Sequence, residues 1–189
     1  MADTIKYFGN PVPATYPNGD TIIVNSRPLL IPQNFHLQTQ INAARFRSTQ
    51  GRGSLLGWFL EHYPPGSSGD PQRQAGYSGG FDPRYTDVAN YGYGLSAAAA
   101  GLSLDDAHKN ASRVNWFETG KAIPAANEHA IRKAYDDYAA RRFPDIDHEA
   151  GKAYIASVSE SHAGNAVLFG VNKVANKAVD APSHRRDEL

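Results

Sequence analysis

Along the first 33 residues the apolar positions follow no helical period. Thr21 to Asn25, TIIVN, is a β-branched run bounded by turn residues, and it predicts a strand. Asn18-Gly19-Asp20 is the turn before it, and Ile5 to Phe8 is its expected partner in a small hairpin or edge. Pro11, Pro13, Pro17, Pro28 and Pro32 keep the rest extended. From residue 34 the period becomes helical. Asn34 is a good N-cap for a helix through Thr49, with Phe35, Gln38, Ile41, Ala44 and Arg45 at helical spacing. Gly51-Arg52-Gly53 breaks it. Ser54 then caps a second helix whose expected apolar face is Leu56, Phe59, Leu60 and Tyr63, ended by Pro64-Pro65.

Residues 66–83 read as a long Gly/Ser/Pro loop, a length that inside a compact domain points to function or disorder. Tyr77 and Phe81 give it anchors, and Asp70 and Asp82 give it chemistry. Tyr85 to Ser103, YTDVANYGYGLSAAAAGLS, is the centre of the pattern. Glycine is among the worst helix formers and alanine the best, so this stretch predicts a loop entering a helix near Gly94. Ser103 caps a helix toward Phe117, and Pro124 starts one reaching Phe143, with Ile131, Ala134, Tyr135 and Tyr138 on one face. A further helix capped by Asp147, with Tyr154, Ile155 and Val158, and an amphipathic stretch from Ala166 to Val179 complete the expectation.

The fold class expected is mainly α: one helical domain with a small N-terminal β element, lysozyme-like as one option. Its parts are an extended or β segment over 1–33, a helical domain over 34–180 and a polar tail over 181–189.

Composition narrows the chemistry. The chain has 189 residues, 41% of them apolar and 20% charged, which suits one globular domain. Nineteen basic and nineteen acidic side chains cancel. A nucleic-acid binder usually carries a basic excess, so neutrality argues against that class while leaving room for a local basic patch. The absence of cysteine excludes disulfides, thiolate nucleophiles and Cys-based metal sites. With neither a basic–apolar leader nor an apolar run long enough for a membrane span, secretion would follow a route without a cleaved signal.

The candidate catalytic residues are Glu61, Asp70 and Asp87. Glu61 sits in the last turn of a helix, where the dipole disfavours a carboxylate, a position suited to a general acid if shielded. A glycoside hydrolase pairs such an acid with a second carboxylate in a cleft that stacks on sugars. Asp70 and Asp87 are candidates for base or electrostatic partner, and Asn90 for an orienting group. Tyr91, Tyr93, Gly94, Tyr77 and Phe81 are candidates to line the binding cleft. A ribonuclease would instead use His62, His108 or His129 with Arg84, Arg132 or Arg141 on the phosphate. No histidine spacing predicts a metal site, and neither metal nor cofactor is expected. Each residue alone is more simply a packing or capping residue, which is what a non-enzymatic binding or immunity-type protein would require.

At Asp70 and from Tyr85 to Gly101 the chain resembles the bacterial polymorphic toxin type 44 family, the toxic C-termini of Rhs-type and other secreted effectors. The likeness takes in Asn42, Ala43, Leu55, Leu56, Trp58 and Phe59, then Asp70. It continues through Tyr85, Asp87, Asn90, Tyr93 and Gly94, and ends in Glu128 to Tyr138. The chain departs where the family carries a tryptophan before the loop aspartate and an aromatic–lysine pair after it; here stand Gly69, Pro71 and Gln72. Gly92 occupies the place of a family histidine. If that lysine or histidine is catalytic, activity here differs or is lost.

The resemblance implies an antibacterial effector, delivered for instance by type VI secretion, with a carrier or secretion-apparatus protein and a cognate immunity protein as partners. Its expected action is hydrolysis of peptidoglycan glycan strands in the target periplasm, with RNA in the cytoplasm as the alternative. The terminal Arg186-Asp187-Glu188-Leu189 is similar to an endoplasmic-reticulum retention signal, which without a leader is best read as coincidence.

Overall fold

The computed structural model describes residues 10–33, 35–63, 67, 69–73, 81–144, 149 and 153. Among these the architecture is mainly helical, with short strands at the N-terminal end, as the sequence pattern predicts. The strands are β1 (Val12–Pro13), β2 (Ile23–Val24), β3 (Arg27–Pro28) and β4 (Leu30–Ile31). The helices are α1 (Leu37–Thr49), α2 (Arg52–His62), α3 (Thr86–Ala99), α4 (Leu104–Thr119) and α5 (Ala125–Ala139).

The β element takes its β2 strand, Ile23–Val24, from within the predicted run. β2 pairs antiparallel with β3, and β1 with β4. Ile5 to Phe8 lie outside the described residues. What closes the β2–β3 hairpin is the dipeptide Asn25-Ser26, both at positive φ (50° and 62°), the geometry of a two-residue turn matched to strand twist. Asparagine tolerates that conformation better than most residues. Ala14, Ile22, Val24 and Leu29 point inward and are buried, so the hairpin is pinned on the helices through alternate side chains.

α3 is the axis of the fold. It packs against both α1 and α5, and Val88, Tyr91, Leu95, Ala97 and Ala99 are buried around it. The helix begins at Thr86, not near Gly94, which corrects the loop expected over Tyr85 to Tyr93. Propensity lost to packing here. A Cβ on Gly94 would lie 2.8 Å from the Ala134 Cβ and 2.8 Å from the Ile131 carbonyl oxygen, so glycine lets α3 and α5 approach closely. Gly92 has more room: its Cβ would meet the Phe35 ring at 3.6 Å.

α2 shows a second correction. Leu56 and Leu60 are 57% and 65% exposed, and the buried face is Leu55, Trp58 and His62. The His62 ring stacks on Trp58 at 4.6 Å and its Nε2 bonds the Gln40 side chain of α1. A stacked, hydrogen-bonded pair buries polar and aromatic atoms together, which exposed leucines at the rim do not oppose.

At the remaining ends, Ser103 caps α4 as expected: its Oγ accepts the Asp106 amide at 3.1 Å and donates to the Asp106 carboxylate at 2.8 Å. α4 runs two residues beyond Phe117, to Thr119. α1 starts at Leu37 behind His36, later than Asn34, which lies outside the described residues. α5 follows Pro124 as predicted and stops at Ala139; the following turn sets Arg141 at φ 53°. The helices expected after Asp147 and the tail also lie outside the described residues. No helix among the described residues is long and apolar enough to cross a membrane.

Candidate functional site

The expected catalytic carboxylates occupy three different settings. Glu61 is exposed near the end of α2 and bonds neither aspartate. Asp70 is buried in the segment after α2, where Arg73 reaches it at 3.1 Å. Asp87 is buried in the first turn of α3, and both of its oxygens are engaged by the β2–β3 hairpin.

The expected binding residues are mostly interior. Tyr91 is fully buried and its hydroxyl donates to Asp137 at 2.6 Å. Tyr93 packs edge-on against Phe59 and Tyr63, with centroids at 5.8 and 5.3 Å, and donates to the Ala107 carbonyl at 3.1 Å. Burial pushes both hydroxyls above the ordinary tyrosine range. Asn90 turns back on its own helix and donates to the Thr86 carbonyl at 2.8 Å. Gly94 forms the α3–α5 crossing. Phe81 is half exposed, with the Arg73 guanidinium 5.4 Å from its ring. Tyr77 lies outside the described residues.

What the fold does bring together around Asp87 is a chain of four side chains from three elements. Asn25 at the hairpin turn donates to Asp87 Oδ1 at 2.8 Å. Arg27 donates from Nε to Asp87 Oδ2 at 2.9 Å, and its Nη2 lies 2.9 Å from the same oxygen. His129 of α5 meets Asn25 Oδ1 through Nδ1 at 2.9 Å.

The chain has a definite proton order. The Asn25 amide nitrogen donates twice, to Asp87 and to the Ala126 carbonyl at 3.2 Å. Its oxygen is therefore the acceptor that faces His129, and Nδ1 must carry a proton. In the neutral ring Nε2 is then the unprotonated nitrogen, and it has no partner among the described residues. That is the tautomer of a base held for use. Arg27 is 65% exposed while its partner Asp87 is 8% exposed, so a buried carboxylate aims an outward guanidinium. One surface thus presents an oriented imidazole and an oriented cation.

His129 is a candidate from its residue type alone. Asn25 and Arg27 carry no sequence signal beyond a turn residue and a cation flanking the predicted strand. Of the other histidine candidates, His62 is in the core and the His108 Nε2 is buried with no partner among the described residues. Arg84 spans the Asp82 carboxylate at 2.7–3.1 Å and draws its pKa down. Arg132 and Arg141 are exposed. No group of three His, Cys, Asp or Glu among the described residues is placed to hold a metal.

No known family model matches this chain, and neither a curated protein nor a solved structure shows significant similarity to it.

Proposed function

We propose that this protein is a secreted antibacterial effector that cleaves RNA in the target-cell cytoplasm by transesterification. The single observation that carries the choice of RNA over peptidoglycan is the His129–Asn25–Asp87–Arg27 chain, which fixes a base and a phosphate-binding cation on one exposed surface. A glycosidase needs a shielded carboxylic acid beside a second carboxylate and an open sugar cleft. Glu61 is open to solvent, and the Tyr91 ring is in the core.

In the proposed reaction His129 Nε2 takes the proton of a ribose 2′-hydroxyl. The 2′ oxygen forms a bond to phosphorus, and the P–O5′ bond breaks. The imidazolium returns its proton to the departing O5′, leaving a 2′,3′-cyclic phosphate and a 5′-hydroxyl end. Arg27 stabilises charge on the non-bridging oxygens as the phosphorane forms. Asn25 holds the tautomer and Asp87 holds Asn25 and Arg27. The toxin role, the immunity partner and the carrier rest on the residue-level resemblance to the toxin type 44 family alone, with no family-model match behind it.

The test is expression in a bacterial host with and without a periplasmic signal peptide, together with cleavage of short RNA by the purified chain. Growth arrest without the signal is expected, and His129→Ala should cut cleavage by roughly 10²–10⁴-fold. Lysis only with the signal, or full RNA cleavage by His129→Ala, overturns the reading.

A further inference from the structure

The surface that holds His129 continues along α5 and past its end. Lys133 follows His129 by one helical turn, which sets their Cβ atoms about 5–6 Å apart. Its Nζ donates to Tyr16 at 3.0 Å and to Asp137, and lies 5.8 Å from the centre of the Tyr16 ring. Arg142, after the turn that ends α5, places its guanidinium carbon 5.2 Å from the same ring. One buried tyrosine ring therefore has two cations near it from positions nine residues apart.

Their charges are not equivalent. Lys133 is balanced by Asp137 and Arg27 by Asp87. Arg142 is exposed and has no carboxylate partner among the described residues, while the exposed Arg141 beside it adds a second cation. The exposed acidic groups on α5 are Glu128, beside His129, and Asp136, so the unbalanced cations lie at the Arg141–Arg142 end. The chain is neutral as a whole, so attraction for a polyanion has to come from a local excess of cations, and among the described residues Arg141 and Arg142 form one.

We propose that His129 and Arg142 mark the two ends of a track for single-stranded RNA along α5, with Arg142 holding a phosphate remote from the bond that is cut and the Asp137-paired Lys133 only anchoring the Tyr16 ring between them. This rests on the ribonuclease reading above and extends it to substrate class: a strand several nucleotides long, not a dinucleotide. The guanidinium is pre-oriented by the Tyr16 ring, so little rotamer freedom is lost when a phosphate binds.

The experiment measures binding of a short, uncleavable 2′-O-methyl oligonucleotide by fluorescence anisotropy across a salt series. It compares the full chain with Arg142→Gln and with Arg52→Gln, an equal charge change at the exposed start of α2. Arg142→Gln should weaken binding roughly three- to tenfold at low salt and lower the salt slope by about 0.7, with Arg52→Gln close to the parent. Equal effects from the two variants, or no effect from Arg142→Gln, overturn the track. Arg142→Gln should slow cleavage of the longer strand more than cleavage of a dinucleotide, which has no remote phosphate; equal losses on both overturn the track. If the chain binds through Arg142 yet cuts no RNA, the track stands and the ribonuclease reading falls.

Discussion

Asp87 and Asp137 are both buried aspartates on helices, and each accepts hydrogen bonds from the N-terminal segment. Asp137 binds Tyr16, Tyr91 and Lys133, whose polar atoms converge inward. Asp87 binds Asn25 and Arg27, whose far sides look out, and Asn25 passes the arrangement on to exposed His129. The carboxylate chemistry is the same in the two places. What differs is whether the donors have anything left to offer a ligand once the carboxylate is satisfied. A closed network stabilises, and an open one can position.

Removing the centre of the closed network is the hardest test of that contrast. Asp137→Ala strands two tyrosine hydroxyls and a lysine, and should cost about 3–5 kcal/mol in urea unfolding. A loss below about 1 kcal/mol would break the comparison. Next in size is the α3–α5 crossing beneath both networks. Gly94→Ala forces a methyl against Ala134 and the Ile131 backbone and should cost about 1–3 kcal/mol, read as a lowered Tm.

The open network predicts a different balance. Asp87→Ala should cost only about 1–2 kcal/mol of stability, because the Arg27 end is largely in water. Its effect on RNA cleavage should be larger, roughly 10-fold or more, since it frees both Asn25 and Arg27. A variant with unchanged cleavage would reduce Asp87 to a hairpin clip.

Alkaline pH separates the two regions again. Burial, then the hydrogen bond to Asp137, holds the Tyr91 hydroxyl above the tyrosine range, and Tyr16 is raised with burial as the largest cause. A folded-state pKa raised above the unfolded value contributes stability in full below about pH 10 and loses it as pH rises beyond. The urea midpoint should therefore fall above about pH 10, and less steeply in Tyr91→Phe, which cannot ionise. The smallest effect is expected at Gly92. A methyl fits there at ordinary contact distance from Phe35, so Gly92→Ala should gain up to about 1 kcal/mol through helix propensity.

Much of the fold was legible from residue patterns. β-branched Thr21 to Asn25 marked the strand, Ser103 marked the start of α4, and Pro124 with the Ile131–Ala134–Tyr138 face marked α5. Local chemistry decides those features: side-chain branching, a cap that satisfies an amide, a proline with no amide to lose. The α2 face was legible in part: Phe59 and Tyr63 pack on the core, but Leu56 and Leu60 yield to Leu55, Trp58 and His62, whose side is favoured by ring stacking and the Gln40–His62 bond. The start of α3 was hidden for a related reason. Gly92 and Gly94 read as turn residues until Ile131 and Ala134, some forty residues later, lie against that helix.

The candidate site divides in the same way. Sequence alone supplied its ingredients, a histidine on a strong helix and an aspartate ahead of an alanine run. It could not supply their partners, since Asn25 and Arg27 lie 62 and 60 residues from Asp87 and His129 lies 104 from Asn25. Residue type fixes what a side chain can donate or accept. Tertiary structure alone decides which groups are satisfied inward and which edges remain for water or a ligand, because that depends on contacts no local window contains.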